Sequence, residues 1–244
     1  MDIYVIYSAD EYMTTHRRTQ CAFLSYIARR NTLLSEKLPE DARGGMMIVA
    51  SNDIGEHIAP VIYDECRKRR YSAVFLDADE DAADVGNALG EVSASLSRRG
   101  LTVFCPISFA DFCESAIPVA EAAVSGGELE EHISLLTRRN RQLALSIPRI
   151  CAKIKMPMTD NSTTAISRRE AEALADRYDA SPHFSPQLVT NYFLYSPAPH
   201  ECSYVLFDDS RSISQKLRLA KHLGVSSVFL TYREIADIAR EIAF

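Results

Sequence analysis

The stretch from Tyr71 to Asp81, YSAVFLDADED, ends a short apolar run in a cluster of carboxylates. Asp77, Asp79 and Asp81 alternate with other residues, so a strand continued through them would point all three to one face. In a (β/α)8 barrel, residues at the carboxyl ends of buried parallel strands build the active site. Asp77 and Asp79 are therefore candidates for acid–base chemistry. Alternatively, residues 79–84 only cap and charge the start of the following helix.

The composition is that of an ordinary soluble globular protein, with 244 residues, 47% of them hydrophobic and 25% charged. Because a (β/α)8 barrel needs about 200 to 250 residues, the whole chain could form one. The net charge is −6, and the arginines are scattered in pairs rather than gathered in a basic stripe. Nucleic acid is therefore not an expected partner, since neutralised phosphates dominate such binding.

Neither a metal nor a cofactor site is predicted. The six cysteines have no CxxC or zinc-type spacing, and His57, His183 and His200 have no metal-ligand spacing with one another. The first ten residues lack the basic start and long apolar run of a signal peptide, and no run reaches about 18 apolar residues. We therefore expect no membrane span, reduced cysteines and a cytoplasmic location.

Strand-like and helix-like segments alternate along the chain. The candidate strands are residues 3–7, 21–27, 46–50, 73–76, 101–107, 122–125, 150–156 and 225–231. Helical periodicity covers residues 58–70, 84–98, 129–145, 212–222 and 234–242. Such alternation implies a parallel sheet covered by helices, and eight strands would close a barrel. The sequence thus predicts an α/β fold, a (β/α)8 TIM barrel, as a single domain over residues 1–244.

Residues 158–209 interrupt the alternation and predict a small α+β insertion between strand 7 and helix 7. Ser167, followed by Glu170 three positions later, forms a capping box that starts a helix. Residues 192–195 and 204–207 are a possible hairpin. A long connection with structure of its own is usually functional. It could also simply cover one end of the barrel.

Several segments resemble glycoside hydrolase family 18, above all its bacterial branch of spore germination and cortex-lytic proteins. The order IPRICAKIKMP, ISRREAEALA, NYFLY and YVLFDDSRSISQKLRLAKHLGVSSVFL is similar to the C-terminal half of that family. YSAVFLDAD falls on its catalytic strand, of the type Y-D-G-V-x-I-D-F-E, and GGMMIVASN resembles the preceding strand. The resemblance begins near residue 21, and residues 207–219 are its most specific part.

The resemblance implies chemistry on N-acetylated sugars. The family hydrolyses β-1,4 links beside sugars such as N-acetylglucosamine, with the substrate's own acetamido oxygen as nucleophile. Asp77 matches the aspartate that orients the acetamido group. Asp79 stands in the place of the proton-donating glutamate and is one methylene shorter. Phe75 and Ser72 replace two further acidic positions, so the catalytic pair Asp79 and Asp77 would be an eroded one.

Aromatic supports of the family site are also missing. EAAVSGGE contains no tyrosine where the family has one, and Thr159 and Asp160 replace the usual tyrosine and glycine. The chain has no tryptophan, and Leu230 or Thr231 stands where the family's last-strand tryptophan belongs. The tyrosines that could form a sugar platform instead, or could simply pack in a core, are Tyr192, Tyr195, Tyr204 and Tyr232.

Three further residues are candidate substrate-binding groups. Asn52 and Asp53 follow the third strand and would lie at the same end of the barrel as Asp77, although turn formation explains them equally well. Glu128 follows two glycines and could reach the cleft as a replacement acid. A helix start is the alternative explanation for this segment.

Two functions of different classes remain. The first is a non-catalytic or weakly active barrel that binds an N-acetylglucosamine-containing glycan, of peptidoglycan or chitin-like type, or a protein partner. The second is an active retaining glycosidase in which Asp79 is the acid and Asp77 positions the acetamido group. The first is favoured because acid length, tyrosine partners and tryptophan platform all depart together. A spore coat or cortex location is the alternative to the cytoplasm.

Overall fold

The structure is a computed structural model that describes residues 1–12, 20–36, 38–39, 42–79, 85–123, 127–157, 162–198 and 201–243. The chain forms two compact units. The barrel unit comprises Met1–Glu121, Leu136–Ser146 and Gly224–Arg233. The second unit comprises Ala122–Leu135, Ile147–Leu223 and Glu234–Phe244.

The secondary structure follows the alternation expected from the sequence. The strands are β1 (Asp2–Tyr7), β2 (Gln20–Arg29), β3 (Thr32–Ser35), β4 (Met46–Ala50), β5 (Ala73–Asp77), β6 (Thr102–Pro106), β7 (Ile117–Glu121), β8 (Ala144–Ser146), β9 (Cys151–Met156), β10 (Thr163–Ala165), β11 (His183–Ser185), β12 (Thr190–Tyr195), β13 (Cys202–Phe207) and β14 (Ser227–Thr231). The helices are α1 (Ala9–Tyr12), α2 (Ala59–Arg69), α3 (Gly86–Arg98), α4 (Leu129–Arg139), α5 (Arg168–Arg177), α6 (Ser210–His222) and α7 (Tyr232–Ile235), with a 3-10 turn at Ile107–Phe109.

Eight parallel strands close the ring of the barrel unit. Their order is β1-β14-β8-β7-β6-β5-β4-β2, and β1 pairs with β2 in parallel to complete the circle. Strand β3 adds to β2 as an antiparallel hairpin outside the ring. The predicted (β/α)8 TIM barrel is confirmed. Its strands carry apolar residues on both faces because one face lines the barrel interior and the other packs under helices.

Two strand assignments made from the sequence are wrong. The seventh barrel strand is β8, which pairs with β7 and β14, and not residues 150–156. Strand β8 has only three residues and follows directly on an amphipathic window, so local periodicity hides it. The sixth barrel strand is β7, which ends just before the predicted 122–125, and Pro118 within it weakens the strand signal.

The second unit contains an antiparallel sheet in the order β10-β9-β13-β12-β11. Residues 150–156 belong here as β9, where Lys153 and Lys155 alternate with less polar residues, a pattern typical of an antiparallel strand with one solvated face. The predicted hairpin is confirmed, because Tyr192 of β12 lies opposite Leu206 of β13. The capping box at Ser167 is confirmed as well.

Two predicted helices are shorter than expected. Helix α4 ends at Arg139, whereas periodicity extended it to residue 145. In the predicted helix 234–242, only the last residues of α7 are helical, and turns follow to residue 241. Within the described ranges, no helix combines the length and the apolar content that crossing a lipid bilayer requires.

Candidate functional site

Asp77 is the last residue of β5 and lies two positions beyond Phe75, which faces the barrel interior. By strand alternation the Asp77 carboxyl is therefore on the inward face, at the carboxyl end of the barrel. The side chain is half-buried. Burial raises the pKa of Asp77 above its ordinary value, and the nearby charge of Asp79 raises it further. Such a perturbed carboxyl at a barrel mouth marks a functional-site candidate.

Asp79 is exposed and makes two hydrogen bonds with Asn52. The Asn52 side-chain amide donates to Asp79 Oδ2 at 2.5 Å. The Asp79 backbone N–H donates to Asn52 Oδ1 at 2.8 Å. The loops after β4 and β5 are joined a third time, because the Ser51 N–H donates to the Asp77 carbonyl at 2.6 Å. Three sequence-predicted residues, Asp77, Asp79 and Asn52, are thus brought together.

The turn that carries Asn52 is held firmly from its other side. The Arg30 N–H donates to the Asp53 carbonyl, and the Gly55 N–H donates to the Arg30 carbonyl at 2.8 Å. A Cβ at Gly55 would lie 2.9 Å from the backbone carbonyl carbon of Arg30, as well as 2.4 Å from Asn31 Oδ1, so glycine suits this close approach. Asp53 itself is exposed in the turn. The backbone that positions Asn52 is therefore constrained by its neighbours.

The interior of the barrel is filled by aromatic rings directly below Asp77. The Phe75 ring centroid lies 5.6 Å from that of Phe229. Phe229 also stacks on Tyr4 at 5.5 Å and meets Phe104 edge-on at 5.3 Å. The resemblance implied an aspartate at the position of Phe75, and the ring of Phe75 is integrated into this packing. The interior has an apolar cluster at the level where the resemblance implied a second carboxylate.

Tyr232 follows directly on β14, as the first residue of α7. Its ring is half-buried and lies 5.0 Å from the ring of Tyr7, at the end of β1. Leu230 is completely buried, whereas Thr231 is partly accessible. Tyr7 is buried, so Tyr232 is the partly accessible ring of this pair.

The remaining candidates belong to the second unit. Glu128 is exposed and immediately precedes α4. The Tyr192 ring stacks on Tyr204 at 5.1 Å, in a partly exposed aromatic pair on the antiparallel sheet. Tyr195 is only 8% exposed and stacks on Tyr178 at 4.5 Å within the hydrophobic core of this unit. Tyr195 therefore contributes to packing in the second unit.

Some residues singled out in the sequence lie outside the described part of the chain. They are residues 80–84 of the acidic run, Thr159, Asp160 and His200.

Sequence reasoning named Asn52 and Asp79 separately and missed their contact, because a pairing across 27 positions leaves no local pattern. It also missed Ser51, whose N–H ties the two loops together. The available signal was the position of Ser51 at the end of an apolar run, just before Asn52 and Asp53.

Comparison with known proteins identifies the same fold in solved structures. No family model and no curated protein matches the chain. A glycoside hydrolase family 18 N-acetylglucosaminidase from Paenibacillus barengoltzii superposes with a TM-score of 0.68 at 11% identity, covering 98% of this chain and 99% of that one. A chitinase from Chromobacterium violaceum gives a TM-score of 0.67 at 13% identity, with 96% and 94% covered.

The spore cortex-lytic enzyme SleL from Bacillus megaterium is a further structural neighbour. Its TM-score is 0.63 at 13% identity, and the match covers 95% of this chain and 70% of that one. At identities this low the likeness shows a shared fold. The resemblance to family 18 that the sequence motifs indicated is confirmed at the level of that fold.

Proposed function

We propose that this protein binds a glycan containing N-acetylglucosamine, of peptidoglycan or chitin-like type, at the carboxyl end of the barrel, and hydrolyses it weakly or not at all. The observation that supports the proposal is a half-buried Asp77 carboxyl at the end of β5, whose pKa is raised by burial, next to an exposed Asp79 that is hydrogen-bonded to Asn52. The fold shared with a chitinase and an N-acetylglucosaminidase supports this ligand class.

Asp77 is the group that would hold the acetamido substituent. It is half-buried at the mouth of the barrel, where a sugar can approach, and burial followed by the charge of Asp79 raises its pKa. An acetamido group offers one N–H donor and one carbonyl acceptor. A few polar groups placed in a concave site are what fixes the orientation of a small ligand.

Weak hydrolysis follows from the position of the proton donor. A general acid must come within about 2.6 to 3.2 Å of the oxygen that it protonates. A misplacement of about 1 Å can lower the rate about 100-fold. Asp79 is one methylene shorter than the glutamate of the family. Phe75 supplies an aromatic ring in place of a second carboxylate.

The test compares the wild type with Asp79→Glu and Asp77→Asn. We expect calorimetric titration with a β-1,4-linked N-acetylglucosamine tetramer to detect binding by the wild type, and Asp77→Asn to weaken it about tenfold or more. A chromogenic N-acetylglucosamine oligomer should show no turnover by the wild type and measurable turnover by Asp79→Glu. Asp111→Asn, an exposed aspartate on the barrel unit, is the matched control.

Two outcomes would overturn the proposal. Efficient turnover by the wild type that Asp79→Ala abolishes would establish an active glycosidase instead. Absence of both turnover and binding at millimolar oligosaccharide would exclude the carbohydrate ligand and favour a protein partner.

We further propose the spore coat or cortex as the place of action, in preference to the cytoplasm, because a spore cortex-lytic enzyme shares the fold. Immunodetection in spore and cytoplasmic fractions tests that location.

A further inference from the structure

The two hydrogen bonds between Asn52 and Asp79 use both ends of one amide group on one residue. The amide nitrogen contacts the Asp79 carboxylate, and the amide oxygen contacts the Asp79 backbone N–H. A side chain bonded in this way fixes the backbone and the carboxylate of its partner at once. We call this pair of bonds the Asn52 clasp.

The Asn52 clasp is anchored on a constrained turn. Asn52 follows the buried Ser51, whose N–H bonds to the carbonyl of Asp77 and whose carbonyl accepts from Ile54. The neighbouring carbonyl of Asp53 accepts from Arg30. Since this turn is tied to its surroundings on both sides, Asn52 holds Asp79 and does not merely follow it.

The clasp leaves one carboxylate oxygen of Asp79 for a ligand. Oδ2 accepts from Asn52, and among the described residues no donor contacts Oδ1. The Asp79 residue is exposed to solvent. Sugar hydroxyls and acetamido N–H groups are donors that match a fixed carboxylate acceptor.

We propose that Asn52 is a positioning residue that holds Asp79 as a fixed hydrogen-bond acceptor for a hydroxyl or acetamido N–H of the bound glycan. This inference rests on the proposed function. It assigns Asp79 to recognition and Asn52 to its orientation, so that the position of the family's proton donor serves binding. Asn52 acts through Asp79 and need not touch the sugar.

A double-mutant cycle in ligand affinity tests the assignment. The variants are Asn52→Ala, Asp79→Ala and the double variant, titrated with the β-1,4-linked N-acetylglucosamine tetramer. Each single change should weaken binding about tenfold, which corresponds to about 1.4 kcal/mol. The double variant should bind no more weakly than Asp79→Ala alone, because Asn52 has no separate effect once its partner is gone. Asn87→Ala, an exposed asparagine of α3, is the matched control.

Thermal melting of every variant separates positioning from folding. Asn52→Ser keeps a turn-forming residue but lacks the amide, so it should lose as much affinity as Asn52→Ala even where the alanine variant also disturbs the turn. Equal losses from Asn52→Ala in the presence and absence of Asp79 would overturn the positioning role while leaving the proposed function intact. Absence of tetramer binding by the wild type would overturn the proposed function, and this inference with it.

Discussion

Two aspartates, one in each unit, differ in how completely their carboxylates are partnered. Asp208 of the second unit is 1% exposed, and its Oδ1 accepts from Thr190 and Ser212 while its Oδ2 accepts from Lys216 and the Ile150 N–H. Asp77 of the barrel unit is half-buried, and its pKa is raised by burial and by Asp79.

The contrast separates a carboxylate that is satisfied within the protein from one that is a candidate for contact with a ligand. A buried charge is tolerated when a partner charge and hydrogen bonds satisfy it, as Lys216 does for Asp208 at 2.6 Å. A partly desolvated carboxyl that lies beside another aspartate is held at a cost in stability, and such cost is typical of sites that must meet a ligand. Asp208 belongs to the segment with the most specific family resemblance, yet its role is to join β12 and β13 to α6.

The largest effect is expected when the buried carboxylate of Asp208 loses its counter-charge. Lys216→Met leaves Asp208 buried without its counter-charge, and we expect the free energy of unfolding to fall by about 3 to 5 kcal/mol. Urea denaturation measures the change. Lys221→Met, an exposed lysine on the same helix, should change stability by less than about 0.5 kcal/mol. Equal stabilities of Lys216→Met and the wild type would show that the ion pair contributes nothing.

A smaller effect is expected from one hydrogen bond of the same network. Thr190 is completely buried, and its hydroxyl donates to Asp208 Oδ1 at 2.9 Å. Thr190→Val keeps the shape and removes the donor, so the free energy of unfolding should fall by about 2 kcal/mol. Thr164→Val on the exposed strand β10 is the control. A loss no greater than that of the control would contradict the assignment.

The smallest expected effect is a gain in the free energy of unfolding, caused by substitution of Asp77. Because its folded-state pKa lies above the ordinary value of about 3.9, the folded protein binds this proton more tightly than the unfolded chain. The wild type therefore loses stability as pH rises from that ordinary value through the folded-state pKa. Asn does not titrate, so Asp77→Asn lacks this loss. Its free energy of unfolding should therefore rise relative to that of the wild type as the pH increases through this window.

Urea denaturation at several pH values checks the result for Asp77, with Asp111→Asn as an exposed control. A stability difference between Asp77→Asn and the wild type that does not depend on pH would refute the interpretation. Together with the glycan titration, the experiment asks whether the substitution that stabilises the barrel unit also weakens its binding.

Much of the fold could be predicted from the sequence because it depends on local patterns. The apolar run that ends at Asp77 and the capping box at Ser167 both predicted their elements correctly. Strand β8 escaped detection because three residues are too few to show a period. Strand β9 was correctly predicted as a strand but was assigned to the barrel, because the residues of a strand do not show which neighbouring strand it pairs with.

Local patterns are enough to predict that strands and helices alternate in this chain, and that an apolar strand ends at Asp77 with Asp79 two positions later. The folded barrel is needed to see that Asp79 is held by Asn52, that Phe75 packs against Phe229 in the barrel interior, and that Tyr195 lies in a core. Periodicity reports how each element is buried, whereas contacts between distant positions depend on strand register and loop geometry, which the closed ring sets as a whole.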